Sequence, residues 1–373
     1  MKLNLEWLSI DLLLEEFIPR EATDELWQAY FNLSESIFLE FNPNARVPNR
    51  EASKRLLSAT SPLYKVQRTI VFDEIRTPVA FLSISYDTEL SPSYEHDQHL
   101  CQVNVRIAKA FRRKGIALYL LKILLDTVAF LEKDTVQAEV ENKVGKAFCK
   151  SLNGELVHEE TQHRMYMEDV NWEIVEEWLA KGKEKFPDTT YELFRDCPDT
   201  DIEAFCETYT EIINERPTGE MEQTIITTPE SRRVEEQNMK KKGIDWYTMI
   251  SREKNGEISA LTDLMHNLKE PHKIIQYFTG VSAKHRRKGL AKRIKAEMLI
   301  VIKKLFPDVE YITTTMAPNN RPMMAINEQL GFKSRKTTDM YQWALPDLLK
   351  LVDDHLSSTK KKRNKDCQKD SPL

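Results

Sequence analysis

Apolar residues form two long helical stripes along this chain. Ile116, Leu120, Leu124, Val128 and Leu131 make one, and Leu290, Ile294, Met298, Ile302 and Leu305 the other. Both spacings keep the apolar positions on one face of an α-helix. Leu290 follows Ile116 by 174 positions, and the same offset relates every later pair. Ahead of each stripe lies a run with strand character, His99 to Ile107 and Lys273 to Val281. Behind each lies another, Thr135 to Val140 and Glu310 to Thr315. A short helix then runs from an Asn to a Gly, from Asn142 to Gly154 in the first copy and from Asn319 to Gly331 in the second. Each half therefore reads strand, turn, long helix, strand, short helix, Gly turn, strand. A repeat of this length is a duplicated domain and not a solenoid. The fold class expected is α/β, of the α+β mixed-sheet kind, with helices flanking a central sheet in each of two tandem domains.

The expected boundaries are 1–170 and 188–346 for the domains. A helical linker at 171–187 carries Trp172, Val175, Trp178 and Leu179 on one face. From 347 to 373 a turn and a basic, disordered tail are expected, because Lys360, Lys361, Lys362, Arg363 and Lys365 read as a solvated run.

Composition narrows the class. A chain of 373 residues is too long for one ordinary core. Its net charge of −5 argues against nucleic acid as a partner and mildly favours a cationic substrate. No apolar run reaches the roughly 20 residues of a membrane helix, so no membrane association is expected. The N-terminus lacks the charged-then-apolar order of a signal peptide, so a cytoplasmic protein is expected, as monomer or homodimer. The five cysteines (Cys101, Cys149, Cys197, Cys206, Cys367) have no metal-knuckle spacing, and no metal is expected. Cys149 is read as a buried thiol in preference to a nucleophile.

The turn before each long helix is basic and small. Arg112-Arg113-Lys114-Gly115-Ile116-Ala117 recurs as Arg286-Arg287-Lys288-Gly289-Leu290-Ala291. Positive charge is unfavourable at a helix N-terminus unless an anion is present. The same unfavourable arrangement occurs twice, each time after a strand, which points to an anion site; a diphosphate suits it, since several backbone N–H groups converge there. The pattern is neither a P-loop nor the three-glycine dinucleotide fingerprint.

Strand, Arg-x-x-Gly-x-Ala and long helix together resemble the acyl-CoA signature of the GCN5-related N-acetyltransferases, the GNAT family. Asn319-Asn320-Arg321-Pro322 through Leu330-Gly331-Phe332 resembles a later motif of that family. Two such folds in one chain are similar to tandem acetyltransferases of the mycothiol synthase and zwittermicin-resistance types. The resemblance implies a splayed sheet and acetyl-CoA as co-substrate. The pyrophosphate would lie on Arg286, Arg287, Lys288, Gly289, Leu290 and Ala291, the pantetheine along Thr279, Gly280 and Val281, and Asn320 would lie nearby. In the first copy the matching residues are Ile107, Arg112, Arg113, Lys114, Gly115, Ile116 and Ala117. Arg106 stands where the second copy has Gly280, and Leu152-Asn153-Gly154 replaces the tidy Leu-Gly-Phe, so the C-terminal half is expected to be catalytic.

The expected reaction is direct transfer of acetyl to a primary amine of a small molecule, an antibiotic or metabolite. An amine with a pKa of ~10.4 must first lose its proton. Asp263 and Glu270 are the candidate bases, with Tyr277 as a polar alternative. Asn327 stands where many family members carry the tyrosine that protonates the leaving thiolate, and Tyr341 is a candidate substitute. The competing readings are a non-catalytic acetyl-CoA-binding or regulatory protein, and a transferase of other acyl groups.

Overall fold

A computed structural model describes residues 2–5, 10–217 and 224–369, with side chains described from 11 to 358 outside the gap. In the first half the elements are β1 (Lys2–Leu5), β2 (Ile10–Glu16), α1 (Asp24–Phe41), α2 (Arg50–Ser58), β3 (Tyr64–Phe72), β4 (Pro78–Asp87), α3 (Tyr94–Asp97), β5 (Leu100–Ile107), α4 (Ile116–Phe130), β6 (Thr135–Val140), α5 (Lys143–Ser151) and β7 (Glu155–Tyr166). There follow α6 (Trp172–Lys185), β8 (Thr190–Phe194), α7 (Ile202–Asn214), α8 (Pro229–Lys242), β9 (Ile244–Arg252), β10 (Ile258–Asn267), β11 (Lys273–Val281), α9 (Leu290–Leu305), β12 (Tyr311–Met316), α10 (Arg321–Leu330), β13 (Lys333–Ala344) and α11 (Leu345–Lys369).

These elements build two compact units. One comprises 1–50, 62–157 and 339–373; the other comprises 51–61 and 158–338. Neither is a continuous stretch, unlike the expected 1–170 and 188–346. The reason lies in strand pairing. Asp339–Ala344 of β13 pairs antiparallel with β6 and completes the N-terminal unit's sheet. Thr161–Tyr166 of β7 pairs with β12 and completes the other. Each repeat thus gives a late strand to the other's sheet. The segment 171–187 is helical as expected, but α6 buries Val175 and Trp178 in the C-terminal unit's core. The disordered tail is corrected: α11 continues to Lys369, with Leu348 and Val352 buried at its start. The side chains of the basic run and Cys367 lie outside the described residues.

Within the N-terminal unit the strand order is β1-β2-β3-β4-β5-β6-β13, and only β5–β6 is parallel. Within the C-terminal unit it is β7-β12-β11-β10-β9-β8, and only β11–β12 is parallel. The apolar stripes behave as their period demands. Ile116, Leu120, Leu124 and Val128 are buried beneath the first sheet; Leu290, Ile294, Met298 and Ile302 are buried beneath the second. Helix burial on one sheet face fixes the helix N-terminus at the end of the strand before it.

Candidate functional site

In both units the two parallel strands start paired and then part. β11 and β12 pair only over Lys273–Ile275 and Tyr311–Thr313, although β11 runs on to Val281 and β12 to Met316. β5 and β6 pair only over Leu100–Gln102 and Thr135–Gln137. Beyond the fork, the edge of Gln276–Val281 that faces β12 has no strand partner among the described residues. Apart from the Val281 carbonyl, which accepts from Arg286, backbone groups on that edge can bond an extended ligand.

The fork opens toward the basic turn. Gly115 and Gly289 cap α4 and α9 in the left-handed region, at φ 84° and 98°. Arg113 and Arg287 both hold φ 62°, a conformation that costs a non-glycine residue about 1 kcal/mol. Neither helix start has a side-chain cap, whereas Thr23, Asn142, Asn171, Thr228 and Asn320 each cap their own helices. The leading N–H groups of α4 and α9, those of Ile116-Ala117 and Leu290-Ala291 among them, are left for an anion. A Cβ added at Gly289 would meet nothing within 4 Å, so the ground in front of α9 is open.

Individual residues divide between cradle and scaffold. Arg286 is committed to the protein: its Nε donates to the Val281 carbonyl at 3.2 Å and its Nη2 pairs with Glu215. Arg112 repeats this, with Nε to Ile107 at 2.9 Å and both Nη groups on Glu40 at 2.8 and 2.9 Å. These arginines strap turn to strand. The exposed Arg287, Lys288 and Arg113 remain for an anion, with Lys114 partly exposed beside Phe111. Asn320 spends its side chain on the Met323 N–H at 3.4 Å. Gly280 is required by packing, because a Cβ there would lie 2.1 Å from Ile212 of α7.

The units differ along the splayed strand. In the C-terminal unit Asp263 faces Phe278 while Leu264 faces Gln276, so Tyr277 is an extra residue, a β-bulge beside the fork. The N-terminal register from Ala80↔Ile107 to Ser85↔Gln102 has no such break. Tyr277 keeps 47% of its surface open, although neighbouring atoms crowd it closely. Burial raises its pKa; Arg216 lowers it, while Asp263, Glu160 and Glu235 raise it further.

Asp263 is fully buried, and burial raises its pKa against the pull of Arg232, Thr248, Trp246 and Tyr209. Its Oδ1 accepts from Thr248 Oγ1 at 2.6 Å, and Arg232 Nη2 donates to that same hydroxyl at 3.0 Å. Glu160 is different. It lies 3.2 Å from His158 Nε2, is partly exposed, and is held ionised first by that contact, with Arg216 and Thr315 assisting. Sequence reasoning missed it: it lies on β7, numbered with the first repeat but folded with the second. Glu270, the other candidate base, pairs with Lys273 at 2.6 Å in the loop before β11.

Asn327 on α10 is buried, with Nδ2 3.9 Å from Met316 Sδ and no partner on Oδ1. Tyr341 belongs to the other unit. Tyr341 is buried in the N-terminal unit's core, on the exchanged strand opposite Ala138, and its hydroxyl donates to Asp339 at 3.2 Å. A role as acid for the C-terminal site is therefore corrected. Under the splayed strand lies a buried lysine that sequence reasoning also missed. Lys295 Nζ donates to Gln276 Oε1 at 2.5 Å, Gln276 Nε2 reaches Thr262 Oγ1 at 3.3 Å, and Thr262 shares a 2.7 Å bond with Thr279. Burial pushes Lys295 down to about 7. The first copy has Leu121 at that offset.

Burial raises the Cys149 thiol to about 12, which disfavours a nucleophilic thiolate. Among the described residues no group of three or more His, Cys, Asp or Glu is placed to hold a metal, and no helix is long and apolar enough to cross a membrane.

No family profile matches the chain, and no curated protein matches it. Solved structures do. A tandem GNAT protein from the clavulanic acid biosynthesis pathway, solved without AcCoA, has TM-score 0.71 at 17% identity over 90% of this chain and 98% of its own. The chain has the tandem GNAT fold. A GCN5-related N-acetyltransferase from Sphaerobacter thermophilus follows it at TM-score 0.62 and 13% identity, covering 90% and 96%. N-myristoyltransferase of Saccharomyces cerevisiae with bound myristoyl-CoA has TM-score 0.54 at 13% identity, covering 89% and 78%. The forked sheet and uncapped helix therefore belong to a fold whose solved examples include acyltransferases.

Proposed function

We propose that the C-terminal unit is an N-acyltransferase site that moves acetyl from acetyl-CoA to a primary amine of a small molecule. The observation that carries this is the joint presence, in one unit, of an open uncapped α9 start, a forked β11–β12 pair, and a bulge at Tyr277 beside that fork. Bound acetyl-CoA supplies an acyl group activated as a thioester. The residues available fit it: Leu290 and Ala291 N–H groups with Arg287 and Lys288 suit a pyrophosphate, and the free edge of Gln276–Val281 suits an amide-bearing arm.

The chain's own part is binding and proton handling. Glu160, Asp263 and Glu235 favour a cationic amine at the fork. Glu160, ionised and partly exposed, is the group that accepts the ammonium proton, directly or through water. Asp263 lies too deep for that and is read as a positioning residue for the bulged strand. Tyr277 stays a neutral phenol and can donate a hydrogen bond where negative charge develops. Asn327 cannot supply a proton, so an amide hydrogen bond is all it adds. An amine-bearing antibiotic or metabolite fits this reading.

The test is amine-dependent release of CoA thiol from acetyl-CoA, screened over small mono- and polyamines. The reading predicts release with some amine and a loss of about 100-fold in kcat for Glu160→Gln. Acetyl-CoA binding without release for any amine would favour the non-catalytic alternative.

A further inference from the structure

The two units carry opposite charge on corresponding sheet positions. In the N-terminal unit Arg68 of β3 stands opposite Ser83 of β4, and Ser83 opposite Asn104 of β5. The matching row of the C-terminal unit is Thr248, Asp263 and Phe278. One row is centred on a buried carboxylate; the other has a hydroxyl flanked by a guanidinium. Two residues along, on the same face, lie Ile70, Phe81 and Arg106, against Ile250, Leu261 and Gly280.

Helix α1 lies over these residues. The Tyr30 ring is 5.3 Å from Phe81 and stacks at 5.4 Å on Phe17. Arg106 is exposed and donates from Nε to Asn104 Oδ1 at 3.1 Å; Arg68, Ser83 and Asn104 are partly exposed. Burial raises the Tyr30 pKa, and Arg106 and Arg68 pull it back down. Arg68, lowered by burial, faces the phenols of Tyr30 and Tyr64. Three other arginines of this unit take carboxylates: Arg50 with Glu35, Arg76 with Glu15, Arg112 with Glu40. Among the described residues, Arg68 and Arg106 form no ion pair. A half-buried guanidinium is costly without a counter-charge.

We propose that the α1 face of the N-terminal unit, built on Arg68, Arg106, Asn104 and Ser83 beside Tyr30, binds a small ligand carrying a carboxylate or phosphate on a flat apolar body. Planar guanidinium groups match two oxyanion oxygens at once, and the Asn104 amide and Ser83 hydroxyl add further bonds. The partly exposed Tyr30 ring supplies the aromatic surface, with the buried Phe81 and Phe17 packed behind it. The proposal stands apart from the acyl-transfer reading, since it concerns the other unit and needs no turnover.

Saturation-transfer NMR of the full chain with benzoate, phenyl phosphate and benzylamine tests it. At least one oxyanion probe binds, and Arg68→Gln and Arg106→Gln each weaken it by about tenfold or more, as removal of one partner of a charged hydrogen-bonded pair does. Arg106 is exposed, so Arg106→Gln is expected to fold, which circular dichroism verifies; the response of each probe separately assigns carboxylate or phosphate. Binding of neither oxyanion, binding untouched by both substitutions, or equal competition by benzylamine overturns the proposal.

Discussion

Lys295 makes a quantitative prediction. Its ammonium lies beneath β11 with Gln276 Oε1 as its hydrogen-bond acceptor, and burial lowers its pKa from 10.5 to about 7. The unfolded chain therefore binds more protons than the folded chain between about pH 7 and 10.5. Stability rises with pH wherever the unfolded state binds more protons, so this lysine makes the fold more stable as pH rises through that window. Each pH unit is worth about 1.4 kcal/mol, so the full window amounts to about 5 kcal/mol. Below about pH 7 both states are protonated and the contribution is flat. Lys295→Leu places in the second repeat the residue found at Leu121 in the first. Chemical denaturation of parent and variant at intervals from pH 6.5 to 9.5 isolates the effect, because all other titrations cancel in the difference. The parent gains about 3 kcal/mol on the variant between pH 7 and 9.5. A difference that stays constant with pH would refute the claim that this lysine is buried and partly neutral.

Other outcomes follow from the same geometry. Tyr341→Phe leaves acetyl transfer unchanged, because the residue lies in the N-terminal core, and costs about 1 kcal/mol by thermal or chemical unfolding from the lost bond to Asp339. Arg286→Gln lowers acetyl-CoA affinity measurably although Arg286 need not touch the anion, since its bond to the Val281 carbonyl holds the turn on the strand; unchanged affinity by calorimetry would count against the strap. Burial raises the Asp263 pKa, so its ionisation weighs against the fold, and the parent loses stability relative to Asp263→Asn as pH rises above 3.8; denaturant unfolding of both across that range reads it, and a difference constant with pH would count against it.

Much of the fold was legible because its signals are local. The repeat, offset by 174 through the glycine turns and long helices, carried both helices and both forks' strands, and even the arginine before each Lys-Gly shares φ 62°. A helical period or a turn residue is written within a few positions of where it acts. Strand exchange is not local. Nothing in Lys333–Ala344 states that its end pairs with Val140–Thr135, and so Tyr341 was assigned to the wrong unit and Glu160 went unnoticed. The polarity of the two sheet faces was hidden for a related reason. Arg68, Ser83 and Asn104 share a row through lateral register, which sequence separation does not reveal. Lys295 was masked by its helix, where a lysine within an apolar stripe reads as a surface residue.

The open ground before α9 gives the most direct measurement. Gly289 and Gly256 both hold left-handed backbone, at φ 98° and 88°, and at both an added Cβ meets nothing within 4 Å. Alanine at either position therefore brings similar backbone strain, about 1 kcal/mol. Only at Gly289 does the methyl enter the space where the pyrophosphate is to lie. Calorimetric titration of acetyl-CoA into the parent, Gly289→Ala and Gly256→Ala separates strain from occupancy. The account predicts tight binding to the parent and to Gly256→Ala, with affinity for Gly289→Ala lower by about tenfold or more, which is about 1.4 kcal/mol. Equal affinity in all three, or no binding to the parent, would contradict it.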